Sequence, residues 1–484
     1  MRALTLSLIL LALAACERDG HYERPLNPGQ ARVLDTHLAW VLPEQREVVL
    51  VDPSAPHARR VALAGEARAT QVAPDGRGWL VLDFDGATWI PLNGPVRRIP
   101  LGGSYQRVAF APDGARAVLY AEQGAGATLS NPNQIAVLDL EAGTATERTL
   151  RSYGSAPQQV VVAPDTAGRP LAWLLAERYL ALIDLSLPAA REVVVHLVLA
   201  ADPREVTPAQ VAFGEVDGVP VTFVRALGSD DLFSLTFPEA PAAGEVPRPY
   251  LNQLPGAAGA ADLWVGTVAE GPRLFSCGRG TLAITHPVTG RRVVVEVGFP
   301  ATRILPFRAP RPEDPETEGQ FALIWSIESP TVVFADLDLV ERRGGRALTP
   351  LTLPVPITAL EPLPGRRGAV ARLGETGLAL LDFDGQTATP LTASERMTGL
   401  VVEPSGDHVH ALVEQGNGAS VVTIDTATGA TVDVPIPGGV GLLLYVPGVD
   451  RVVVDHGASW GRISVVAGAQ VTEYEGFFLE GVLE

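Results

Sequence analysis

One short phrase recurs along the chain, and it limits the folds open to it more than any other feature. The phrase is an apolar run, a proline, an Asp-Gly or Ser-Gly turn, and a second apolar run. Its clearest copy begins Arg107-Val108-Ala109-Phe110-Ala111-Pro112-Asp113-Gly114, continues through Arg116 to Tyr120, and resumes at Gln134 to Gly143. Related copies surround Pro74, Pro164, Pro364, Pro404 and Pro447, with spacings of 38 and 52 residues before Pro164 and of 40 and 43 after Pro364. Proline presets φ for a turn, and Asp-Gly supplies the left-handed residue of a tight hairpin. The apolar runs on either side are short and bounded by turn residues, so they read as strands. A third run closes on an aspartate in Val51-Asp52, Leu138-Asp139, Ile183-Asp184, Leu381-Asp382 and Ile424-Asp425. In the best copy, Thr144 to Leu150 then forms a fourth strand.

Repeats of roughly 40 to 50 residues signal propellers or solenoids. The 200 residues between Pro164 and Pro364 hold three degenerate units starting near Gln210, Asp262 and Arg303. With an N-terminal unit at residues 31–62, ten repeat starts are found. The repeats resemble the YVTN-type, WD40-like units of bacterial β-propellers, most closely over residues 107–150 and 399–436, where Val422-Thr423-Ile424-Asp425 precedes Thr428-Gly429. A four-stranded blade buries both its faces only when blades stack in a ring. We therefore expect an all-β chain folded as a single propeller over residues 31–484. Rings usually have about four to eight blades, so the expected number is about eight within a range of seven to ten, with some units as half blades and the two termini sharing one. Three stretches stand apart as loops or insertions: Gln123 to Asn133, Phe237 to Ala261 and Arg308 to Gly319.

The amino terminus reads MRALTLSLILLALAAC: one cation at Arg2, an apolar run from Leu8 to Ala15 too short to span a bilayer, then Leu13-Ala14-Ala15-Cys16. This resembles the lipobox of bacterial lipoproteins. The resemblance implies a signal peptide over residues 1–15, lipidation of Cys16, and a tether over residues 16–30. Glu17 after the cysteine, in place of Asp, implies the outer membrane by the sorting rule of that family. Two or more acyl chains hold a protein to a bilayer essentially permanently. Once Cys16 is modified only Cys277 remains, so no internal disulfide can form, and Cys277 reads as a small buried apolar residue.

The net charge is −18 and every cation is arginine. A chain without lysine has no Schiff-base or P-loop lysine, and an acidic chain is a poor partner for nucleic acid. Gly457-Ala458-Ser459-Trp460-Gly461 matches a nucleophile elbow, but a strand follows it and no histidine comes later, so it reads as a hairpin loop. His408 and His410 share one face of a strand, and Asp455-His456 lie in the matching strand of the next unit, which makes these four the candidate metal ligands, for zinc or calcium. Asp83-Phe84-Asp85-Gly86 and Asp382-Phe383-Asp384-Gly385 look like the start of a calcium loop but lack its later donors, and read as turns. No catalytic set and no cofactor motif emerges. The expectation is a lipid-anchored envelope propeller that binds other envelope proteins or a small ligand without catalysis. Its rivals are a metal-dependent propeller hydrolase or lactonase, and an accessory lipoprotein of outer-membrane protein assembly.

Overall fold

A computed structural model describes residues 26–121, 131–151, 156–164, 168–197, 206–237, 244–311, 314–392, 396–416 and 418–479. Forty strands form ten antiparallel four-stranded sheets, each made of four strands consecutive in sequence. Blades 1 to 10 span residues 32–62, 69–100, 107–149, 159–195, 207–255, 262–296, 303–352, 357–392, 397–436 and 442–475. They form one β-propeller. Its ten blades lie at the upper end of the expected range and correspond one to one with the ten repeat starts, the degenerate units opening at Thr207, Asp262 and Arg303. No unit is a half blade, and the termini do not share a sheet.

The second and third strands of each blade carry the core. Gly78–Leu82 and Leu180–Asp184 are buried at every position, and Gln134–Asp139 at its four central ones. Outer strands such as Gln470–Glu475 are polar and largely exposed. First strands such as Ala69–Val72 and Arg107–Phe110 are only half-buried, because they face the axis of a ring wide enough to hold ten blades.

Ten apolar layers lie between the blades, one for every neighbouring pair. Leu34, Val48 and Leu50 of blade 1 meet Trp79, Val81 and Ile90 of blade 2, and the series runs on to Val421 and Val434 of blade 9 against Val452 and Val454 of blade 10. The tenth layer closes the circle: Val453, Ile463, Phe477 and Phe478 pack on Leu38, Trp40, Val49 and Val51. Closure is by face packing alone, without exchange of a strand between the first and last blades. Three polar contacts reinforce the seam. Trp40 Nε1 donates to Asp455 Oδ2 at 2.9 Å, the Arg60 guanidinium donates to the Phe478 carbonyl, and the Gly448 N–H donates to the Asp35 carbonyl at 3.0 Å. A Cβ on Gly448 would lie 2.5 Å from Thr36 Cγ2, so glycine is required where the two blades touch.

Two of the expected loops belong to the sheets. Arg303–Arg311 and Asp314–Trp325 pair as a long hairpin through what was read as the Arg308 to Gly319 insertion. Pro306 and Pro310 are tolerated because the first strand of a blade is an edge strand, and Pro315 because the second strand pairs with the third only from Phe321 onward. Tyr250–Pro255, inside the Phe237 to Ala261 stretch, is the outer strand of blade 5. Most of the Gln123 to Asn133 stretch lies outside the described residues, as do Cys16 and the rest of the expected signal and lipidation segment. Among the described residues, no helix is long and apolar enough to cross a membrane.

The seam sets a stability prediction. Phe478→Ala should cost about 3–5 kcal/mol and Trp40→Phe, which leaves the buried Asp455 Oδ2 without its donor, about 1–3 kcal/mol. Denaturant unfolding of both variants checks this; native-like midpoints would show that the seam contributes little.

Candidate functional site

The up-and-down path of each blade sends its turns alternately to the two faces of the ring. One face collects the hairpins between first and second strands and between third and fourth strands. The repeat places its aspartates there. Asp113 and Asp75 accept the N–H groups of Ala115 and Arg77 at 3.0 Å each, while Gly114 and Gly76 take positive φ. The third-strand aspartates cap the other turns: Asp52, Asp139, Asp184 and Asp382 each accept a backbone N–H two or three residues ahead, at 2.7–3.1 Å. The Thr428 N–H and hydroxyl, with the Ala427 N–H, hold the Asp425 carboxyl below the usual carboxylate range. These carboxylates are turn caps, and they make this the carboxylate face.

The opposite face is where the chain enters and leaves. The Gly29 N–H donates to the Val41 carbonyl at 2.9 Å, and the Phe478 N–H to the Trp460 carbonyl at 3.1 Å. Exposed Phe84, Leu227, Ile327, Val355, Val440 and Trp460 all stand in its loops or at their edges, Ile327 being 60% exposed and Trp460 46%. The carboxylate face exposes Val96, Val219, Val288 and Tyr250. The larger apolar side chains are thus concentrated beside the chain entry.

The four candidate metal ligands are not brought together. His408 and His410 begin the second strand of blade 9, at the carboxylate face, whereas Asp455 ends the second strand of blade 10, at the entry face. Asp455 is engaged with Trp40, and His456 Nε2 lies 2.8 Å from Ser464 Oγ. Among the described residues, no group of three or more His, Cys, Asp or Glu is arranged to hold a metal ion.

His408 and His410 converge instead on Glu403, which the sequence reading missed. His408 Nδ1 lies 3.0 Å from Glu403 Oε2 and His410 Nε2 2.9 Å from Oε1, while His410 Nδ1 lies 2.9 Å from Thr423 Oγ1. A hydroxyl, an imidazole and a carboxylate in series can activate a nucleophile. Here His410 is buried, with the Tyr445 ring parallel to it within 12° at a centroid distance of 6.4 Å, and the Tyr445 hydroxyl donates to Asp450 at 2.5 Å. The series ties the Pro404-Ser405-Gly406 turn to the third strand of its blade.

The other motifs resolve as structure. Gly457 to Gly461 is a strand-to-strand loop with positive φ at both glycines. Asp83 is buried and paired with Arg98 through both carboxylate oxygens. It turns the chain on the entry face and Asp382 on the carboxylate face, so the two Asp-Phe-Asp-Gly copies are not equivalent in place. Cys277 is fully buried, and burial pushes its thiol up to about 12, which keeps it protonated.

No protein-family model matches the chain, and no curated protein matches it. Solved structures do resemble it. Dihydro-heme d1 dehydrogenase NirN aligns at a TM-score of 0.46 with 14% identity, over 86% of this chain and 75% of that one. A eukaryotic initiation factor aligns at 0.44 with 12% identity, over 89% and 94%. Virginiamycin B lyase from Staphylococcus aureus aligns at 0.36 with 11% identity, over 63% and 90%. None of these likenesses bears on activity.

One concavity is built from residues far apart in sequence. The outer strand of blade 4 is only three residues long, Val193–Val195. Beside it opens a cavity of about 700 Å³, whose wall continues with Gly244 to Val246, Arg248, Pro249 and Leu251 of blade 5 and reaches Arg151 in the connection between blades 3 and 4. Sequence reading flagged the Phe237 to Ala261 stretch but gave no sign of the cavity.

Three histidines, His410 buried and His37 and His456 half-buried, set a pH dependence. Burial is the largest cause that lowers His37, His410 and His456 from the ordinary value of 6.5, with Glu403 opposing it at His410. Below that value the unfolded chain takes up protons that the folded chain refuses. The stabilisation is therefore full above pH 6.5 and is lost as pH falls through the folded values. The melting temperature should drop between about pH 7.5 and pH 5.5, and His410→Gln should shrink that drop. An equal drop in the variant would remove His410 from the account.

Proposed function

We propose that this chain is a lipid-anchored β-propeller of the cell envelope that acts as a binding scaffold, not a catalyst, held to the membrane through Cys16 with its entry face toward the bilayer. The observation that carries the reading is the coincidence of three features on one side of the ring: the entry of the tether, the exposed Phe84, Ile327 and Trp460, and the absence of the repeat's aspartate caps. Tryptophan and phenylalanine are at home at the level of lipid headgroups. A strongly anionic surface is repelled by anionic lipid, so the carboxylate face is the one turned away and offered to partners. The scaffold role is supported by how the chain spends its polar groups: strand-end aspartates cap turns, Asp455 holds the seam, and the Glu403 cluster holds a hairpin.

Intact mass of the purified native protein should show an N-terminal Cys16 carrying acyl chains, and Cys16→Ala should release the protein from the membrane fraction. A bare Cys16 would sink the anchor. In vesicles containing brominated lipid, the lipidated protein should lose part of its tryptophan emission, and Trp460→Phe should abolish that loss. Lipidated protein without quenching would keep the anchor and overturn the orientation.

A further inference from the structure

We propose that the cavity between the outer strands of blades 4 and 5 is a binding site for an amphiphilic organic anion: an apolar body carrying a phosphate or carboxylate group. This does not depend on the anchor. Arg151 in the connection between blades 3 and 4, Arg191 of blade 4 and Arg248 of blade 5, all exposed, line the cavity. In a chain of net charge −18 some arginines have carboxylate partners, as Arg60 has Glu47, Arg98 has Asp83 and Arg273 has Glu341. Among the described residues no carboxylate pairs with the side chains of these three.

The wall holds two acids, and one is already neutralised. Glu192 is buried, accepts the Arg151 backbone N–H at 2.6 Å, and is paired from behind with Arg148, whose guanidinium also donates to the Pro188 carbonyl at 3.3 Å. The second, exposed Glu245, leaves the three guanidinium groups in excess. A cluster of like charges is costly unless a counter-charge joins it, and guanidinium groups match the oxygen geometry of phosphate and carboxylate. The rest of the wall has different chemistry. Val193, Val194 and Leu251 are half-buried and present apolar surface to the cavity. A volume of about 700 Å³ suits a small organic molecule, and bare phosphate would fill little of it. Apolar side chains beside guanidinium groups in one cavity select for a molecule with both characters.

The test titrates the full-length protein, in neutral maltoside, with hexyl phosphate, hexanoate, hexanol and inorganic phosphate, read by calorimetry. Hexyl phosphate or hexanoate should bind at least tenfold more tightly than hexanol or inorganic phosphate, the tighter of the two telling which head group the site prefers. Arg191→Gln with Arg248→Gln should weaken that binding at least tenfold. Arg32→Gln with Arg346→Gln, which removes the same charge at exposed positions elsewhere, should leave it unchanged. Unliganded melting curves show that both double variants are folded. Equal affinity for hexanol and hexyl phosphate, equal weakening in the two double variants, or no binding at all would overturn the proposal.

Discussion

The structure depends on apolar side chains packed between neighbouring blades. A blade has two apolar faces and no other means of covering them, so each layer between blades is both core and connector. Ten such layers make the ring, and nine of them join blades adjacent in sequence. The tenth joins residues more than four hundred positions apart, where Trp40 meets Phe477 at 5.1 Å and Phe478 edge-on at 5.5 Å. A buried tryptophan N–H and the Asp455 carboxylate satisfy each other within that layer, which makes the register of the seam specific as well as adhesive.

Repetition also sorts chemistry by face. In six of the ten blades an aspartate closes the third strand, and in each it emerges on the same side of the ring. A local rule for making turns thus becomes a global separation of charge. The face left without these caps is free to hold the large exposed apolar groups, and it is where the chain enters and leaves.

The repeat grammar was legible because turn chemistry is local: the Pro-Asp-Gly hairpins and strand-end aspartates lie where their residue types predict. Blade number was harder. Ten units could be counted, but sequence does not say whether terminal pieces stand alone or complete each other, and the answer depends on contacts such as Phe478 with Trp40. The Arg308 to Gly319 hairpin was misread because Pro310 suggests a loop, whereas an edge strand accommodates it. The Glu403 cluster had a usable signal. Pairing Val402 with Val409 and His410 with Thr423 follows from a tight hairpin at Pro404 to Gly406, and that register alone sets Glu403 and Thr423 beside the histidines. The arginine-lined cavity had none, since Arg151, Arg191 and Arg248 meet only through the stacking of blades 4 and 5.

Closure without strand exchange has a consequence for biogenesis. The groups that complete the circle, Phe477 and Phe478, follow all ten blades in the chain and are synthesised after them. Until they arrive, the growing protein is an arc with a bare apolar sheet at each end. That arc is the form most exposed to mispairing with another nascent copy, and it lasts until the tenth blade and the segment after it have been made.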